Sequence, residues 1–167
     1  SGNLQLTNWT EFPTSAQALI TGNLTLGAGA VLDNNQAQLT VSPASGSTLS
    51  LGAGALHVNG GTTTLNAGTL NPTVGSILIN AGSLVLTGSV ATYSLDQSTG
   101  TLANAGTLTL NGGTASTGHT WTGGTWSGGG TVELAGTSSL DISGYPTIAG
   151  QQLKVLSGGL AVLTGNI

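Results

Sequence analysis

The sequence predicts an all-β chain wound as a parallel β-solenoid of about seven coils, and three observations carry that prediction. A strand-turn-strand phrase is written twice: Leu24-Thr-Leu-Gly-Ala-Gly-Ala-Val-Leu-Asp-Asn34 returns as Leu49-Ser-Leu-Gly-Ala-Gly-Ala-Leu-His-Val-Asn59, an offset of 49 − 24 = 25 residues. Pairs of apolar residues flanking one other residue recur along the whole chain, and such period-two alternation puts the flanking pair on one face of a strand. No sustained helical spacing occurs, and each of the 29 Gly would cost about 1 kcal/mol relative to Ala inside a helix.

Taken in order, the strand signals are Leu4-Gln-Leu6, Leu24-Thr-Leu26, Leu39-Thr-Val41, Leu49-Ser-Leu51, Leu56-His-Val58 and Ile77-Leu-Ile79. They continue with Leu84-Val-Leu86, Leu108-Thr-Leu110, Val132-Glu-Leu134, Leu140-Asp-Ile142, Leu153-Lys-Val155 and Leu160-Ala-Val162. Residues 12–20 read as a loop or a single helical turn around Pro13. Trp9 and Phe12 are expected to cover the first coil, so 1–21 forms an N-terminal covering segment and 22–165 the repeats of one domain spanning 1–167.

Weaker echoes set the coil length. Gly82-Ser-Leu-Val-Leu matches Gly106-Thr-Leu-Thr-Leu at 106 − 82 = 24, Leu108 to Val132 is again 24, and Val132 to Leu153 is 21. Asn-Ala-Gly recurs at Asn66, Asn80 and Asn104, where stacked copies would form an amide ladder. The stretch 59–80, interrupted by Pro72, is less regular and leaves the count open by one coil.

The inward ladder is expected to run through Leu24, Leu26, Leu49, Leu51, Leu84, Leu86, Leu108, Leu110, Val132, Leu134, Leu153 and Val155. Each such side chain contributes roughly 1.5–3 kcal/mol when buried, while ordering each backbone residue costs roughly 1–2 kcal/mol. One Gly-rich coil cannot stand alone, and stacking makes the sum favourable.

Composition removes several function classes. The net charge is −4, with Lys154 the single base. Such a chain cannot neutralise a row of phosphates or an anionic lipid surface. There is no Cys, hence no disulfide and no thiolate metal site. No apolar run reaches the roughly 18 residues of a membrane-spanning helix. The opening Ser1-Gly-Asn, without Met or an apolar leader, is expected of a processed or excised segment whose export signal lay upstream.

At Trp121-Thr-Gly-Gly-Thr-Trp126-Ser-Gly-Gly-Gly-Thr-Val132, together with Asn104-Ala-Gly-Thr-Leu-Thr-Leu-Asn-Gly-Gly113, the chain resembles the repeats of large bacterial exoproteins. These are autotransporter passengers and filamentous-haemagglutinin-like adhesins of two-partner secretion. The resemblance covers roughly residues 22–165 and rests on degenerate motifs. It implies a right-handed parallel β-helix, the hand that parallel crossovers favour in general. It further implies export to the cell surface or extracellular space, and a role in adhesion, aggregation or biofilm matrix. Neither a secretion domain nor an outer-membrane barrel is matched.

Enzymatic alternatives find little support in the residues. Glu133 and Asp141 are the nearest approach to the paired carboxylates of a polysaccharide-degrading β-helix, but both are middle residues that point outward. Asp33 and Asp96 read as turn residues. His57 on a strand face and His119 in a loop lack partners for a zinc set. No calcium nonapeptide, phosphate loop or nucleophile elbow is present. The expectation is a non-enzyme with no cofactor and no metal.

Trp121 and Trp126 are the candidate ligand contacts: five apart with Gly-Gly between them, they either present rings for stacking on sugar or fill the interior. An ice-binding Thr face is an alternative. Thr is frequent at pairs such as Thr64/Asn66, Thr107/Thr109 and Thr131/Glu133, but Glu133 and Lys154 spoil that face as aligned. The expected function is a structural or adhesive rod. Its partners are other copies of itself, end to end or side by side in a filament, or glycans of a host or cell surface. Neither nucleic acid nor membrane insertion is expected.

Overall fold

A computed structural model of the chain describes residues 3–6, 8, 10–12, 17–35, 37–42, 49–50, 54–66, 75–112 and 118–164. Among them are 22 strands and no helix, and every strand pairing is parallel. All twelve sequence triplets fall in strands, although Leu51 lies outside the described residues.

Four sheets line the solenoid. Sheet I stacks β2 (Thr10–Phe12), β5 (Val31–Asn34), β8 (Ala55–Val58), β10 (Ser76–Ile79), β13 (Ser94–Gln97), β16 (His119–Trp121), β19 (Ser139–Ile142) and β22 (Leu160–Leu163). Sheet II stacks β3 (Gln17–Ile20), β6 (Gln38–Val41), β9 (Thr62–Leu65), β11 (Ser83–Leu86), β14 (Thr101–Asn104), β17 (Thr125–Ser127) and β20 (Thr147–Ala149). Sheet III holds β12 (Val90–Thr92), β15 (Thr107–Leu110), β18 (Thr131–Leu134) and β21 (Gln152–Val155). Sheet IV holds β1 (Asn3–Leu6), β4 (Asn23–Leu26) and β7 (Leu49–Ser50). The described strands follow one another in the order sheet IV or III, then I, then II, except that β9 of sheet II is followed among them directly by β10 of sheet I. The seven and eight strands of the two long sheets agree closely with about seven coils.

The register confirms some echoes and corrects others. Leu24 pairs with Leu49, Leu108 with Val132 and Val132 with Leu153, as aligned. The Gly82/Gly106 echo is not a register. Ser83 of β11 pairs with Thr101 on sheet II, a step of 101 − 83 = 18, whereas β15 lies on sheet III. The shortest coil was therefore missed, because two strands on different faces share one local pattern. Residues 3–20, expected as a covering segment, supply three strands that pair in register with the second coil. Trp9 lies outside the described residues.

Inward positions form the core. Leu24, Leu26, Leu84, Leu86, Leu108, Leu110, Val132 and Leu134 of the expected ladder are buried, and Leu49 pairs with Leu24 through its backbone. Leu153 is partly buried against the core, but Val155 is 46% exposed because β21 is the last strand of its sheet.

The corner between sheets I and II shows why Gly is needed. Gly61, Gly82, Gly100 and Gly124 all have positive φ, from 59° to 85°. They stack so closely that a Cβ on Gly124 would lie 2.4 Å from the Gly100 carbonyl oxygen. Each carbonyl in this column accepts a hydrogen bond from the coil above, as Thr125 N–H donates to Gly100 O at 2.9 Å. A side chain here would meet both a disfavoured backbone and its neighbour's carbonyl.

Candidate functional site

Ten of the 22 strands escaped the sequence triplets, and six of the ten share one reason. β5, β9, β12, β13, β14 and β16 each carry a polar residue at an inward position: Asn34, Thr63, Thr92, Gln97, Asn104 and His119. All six are buried, and all six are hydrogen-bonded, as burial demands. Asn34 Nδ2 donates to Thr63 Oγ1 at 2.9 Å and to Ala37 O at 3.1 Å. Thr92 Oγ1 donates to Gly75 O at 3.0 Å. Asn104 accepts from Gly106 N–H at 3.0 Å and donates to Thr131 O at 2.9 Å, closing a corner.

Both candidate tryptophans are interior. Trp121 and Trp126 are 1% and 0% exposed, and their rings stack across the Gly123-Gly124 corner with centroids 4.0 Å apart and planes 6° from parallel. Trp126 Nε1 donates to Gln97 Oε1 at 2.8 Å, while Gln97 Nε2 donates to Gly100 O at 3.2 Å. Their rings stack on each other inside the buried core, so neither is exposed as a sugar-stacking platform. The interior-filling alternative is the one realised.

His119 is not in a loop. It points inward from β16, 1% exposed, and its Nδ1 accepts from Leu95 N–H at 3.0 Å. Burial lowers its pKa to about 4, opposed more weakly by Asp96 and by the Gly112 backbone. The ring is therefore neutral at pH 7. Its Nε2, Trp121 Nε1 and Gln151 Oε1 are buried without a hydrogen-bond partner among the described residues.

The outer faces sort the charges with unexpected order. One outward column of sheet I runs Glu11, Asp33, His57, Leu78, Asp96, Thr120, Asp141, Val162. It contains four of the chain's five carboxylates. Asp33 and Asp96 are thus strand residues, not turn residues. The flanking corner column supplies partners: Asn35 Nδ2 donates to Glu11, Asn59 Nδ2 to Asp33, and Thr164 Oγ1 to Asp141. Asn80 Nδ2 donates to Asn59 Oδ1 at 2.8 Å, an amide ladder at the corner. The other Asn-Ala-Gly copies, Asn66 and Asn104, sit at other corners and do not join it.

Sheet III carries Glu133, which meets Lys154 at 2.8 Å; Glu133 and Asp141 therefore lie on different sheets and do not form a carboxylate pair. Sheet II has no charged residue at all among its strands. Its first outward column reads Gln17, Gln38, Thr62, Ser83, Thr101, Thr125, Thr147, and its second Leu19, Thr40, Thr64, Val85, Ala103, Ser127. A shallow open depression of about 360 Å³, lined by Gln17, Ala18, Leu19, Gln38 and Thr40, marks the first two rungs.

These columns were missed because they depend on register, which a sequence triplet does not carry. No group of three or more His, Cys, Asp or Glu suited to a metal occurs among the described residues. No helix there is long and apolar enough to cross a membrane. Comparison with protein-family models, curated proteins and solved structures finds no match to this chain.

Proposed function

We propose that the chain is a structural and adhesive rod of the bacterial surface or extracellular space, lengthened by head-to-tail stacking of copies. One observation supports this reading: the inward column is open at the last described strands, where a further coil, of the same chain or of a second copy, would continue it. Ile148, Val155 and Leu163 continue the buried positions of Trp126, Leu134 and Ile142, yet are 49%, 46% and 60% exposed. Their strands β20, β21 and β22 each pair on one side only. An unpaired, apolar edge templates further strands, and β1, β2 and β3 present the complementary parallel edge at the other end. Such a heterologous contact does not close on itself and propagates as a filament.

The secretion and adhesion parts of the reading rest on the resemblance of the repeats to exoprotein passengers, and on an architecture that exposes long regular faces. Sedimentation velocity over a concentration series, with electron microscopy, tests the stacking. The wild-type chain is expected to associate into rods in which the roughly 4.8 Å strand repeat continues through the junction between copies. Leu163→Lys is expected to suppress association while leaving the β circular-dichroism signal intact. A wild-type chain that stays monomeric at all concentrations would overturn the proposal.

A further inference from the structure

We infer that the outer face of sheet II is an ice-binding surface. The inference does not depend on head-to-tail stacking, because that face lies along the side of the rod. Its grounds are register, chemistry and charge. Thr62, Ser83, Thr101, Thr125 and Thr147 form an unbroken hydroxyl column over five rungs, each pairing residue for residue with the next. The rungs repeat at roughly 4.8 Å, close to the repeat of water oxygens along one axis of the ice lattice. The second column, two residues along each strand, adds Thr40, Thr64 and Ser127 with the small apolar Val85 and Ala103.

The objection raised by the sequence disappears in the fold. Glu133 and Lys154, which spoil the face when Thr pairs are aligned by local pattern, belong to sheet III. Thr107 and Thr109 belong there too, so that alignment mixed two faces. Sheet I collects four carboxylates in one column and sheet III an ion pair, leaving sheet II without a charge among its strands. Charged groups bind their own water tightly and disorganise a lattice, whereas alternating hydroxyl and methyl groups both bond and order it.

Other occupants fit less well. A sugar-binding face uses exposed aromatic rings, and the aromatic residue of β17, Trp126, points into the core. A lateral protein partner needs a continuous apolar area, and the large exposed apolar side chain on this face is Leu19, on the first rung.

The test is freezing-point osmometry with observation of single ice crystals in the full 167-residue chain. Thermal hysteresis and faceted crystals are expected. Thr101→Lys, at the centre of the face, is expected to reduce hysteresis several-fold, and Thr64→Lys in the neighbouring column to do the same. Thr109→Lys, outward on sheet III, is expected to leave it unchanged, with circular dichroism verifying that all three fold. Wild-type protein that neither shapes ice nor shows hysteresis overturns the inference, whatever the variants do. Equal loss in Thr109→Lys and Thr101→Lys overturns the assignment to sheet II. Binding of a neutral polysaccharide through Thr101 without any effect on ice replaces ice by that partner and overturns it as well.

Discussion

From β8 to β11 the inward positions are Leu56, Val58, Leu65, Ile77, Ile79, Leu84 and Leu86, with Thr63 as the polar exception. From β13 to β17 they are Leu95, Gln97, Leu102, Asn104, Leu108, Leu110, His119, Trp121 and Trp126. One backbone thus carries two kinds of interior. In the first, the described inward positions add aliphatic area, with the single hydroxyl of Thr63 bonded to Asn34. In the second, Gln97, Asn104, His119 and Trp126 each find a specific partner at a corner or in a neighbouring coil, while His119 Nε2 and Trp121 Nε1 have none among the described residues. A parallel solenoid can accept polar inward residues because its corners bring carbonyl and N–H groups within reach of the core. The cost is that such a region depends on its members together.

The largest effect is expected at the stacked rings. Trp126→Ala removes a fully buried ring, its contact with Trp121 and the donor to Gln97 Oε1. Truncations of this kind cost about 3–5 kcal/mol, and the stranded Gln97 acceptor places the result at the upper end. Urea denaturation followed by tryptophan fluorescence measures it. A loss below about 1 kcal/mol would show that the aromatic interior is not the tightly coupled region described.

The second test uses acid. The folded pKa of His119 is about 4, below the roughly 6.5 of an unfolded histidine. Between those values the unfolded chain binds the proton and the folded one does not, so stability falls as pH falls. The contribution is intact above about pH 6.5 and is lost towards pH 4, amounting to about 3 kcal/mol over the window. Chemical denaturation at a series of pH values reads this slope. His119→Leu is expected to remove the slope contributed by this residue. It also lowers stability at pH 7 by about 1–3 kcal/mol, because Leu95 N–H loses its acceptor. An unchanged slope in that variant would mean that His119 is not the group being titrated.

The same division governs what the sequence made legible. In the aliphatic region the triplets Leu56-His-Val58, Ile77-Leu-Ile79 and Leu84-Val-Leu86 announce their strands, and all three are strands. In the polar region β13 and β16 read as turn and loop and β14 gives no triplet, because Gln97, His119 and Asn104 occupy positions where a triplet requires an apolar residue. Propensity weighs the residue, whereas the fold weighs whether its polar atoms are satisfied. Registers failed for a related reason. Ser83-Leu-Val-Leu86 and Thr107-Leu-Thr-Leu110 look alike because both have two inward leucines, but nothing local says which sheet each belongs to. The charge-free face of sheet II was hidden by that ambiguity, since its outward columns exist only once the 18-residue step from Ser83 to Thr101 is known.

The smallest effect sharpens the comparison from the other side. Ile77 stands between Leu56 below and Leu95 above in the sheet I column, all three buried. Ile77→Val removes one methyl group without altering a hydrogen bond or a charge, and such changes cost about 0.5–1.5 kcal/mol. Because no titrating group lies in that column segment, the cost should be the same at pH 7 and pH 4.5, while the His119 contribution drains away over the same interval. Thermal or urea unfolding of wild type and variant at both values gives the difference directly. A cost that changes with pH would mean that protonation of His119, two rungs along the same sheet, loosens the packing at Ile77, and the two interiors would then form one cooperative unit.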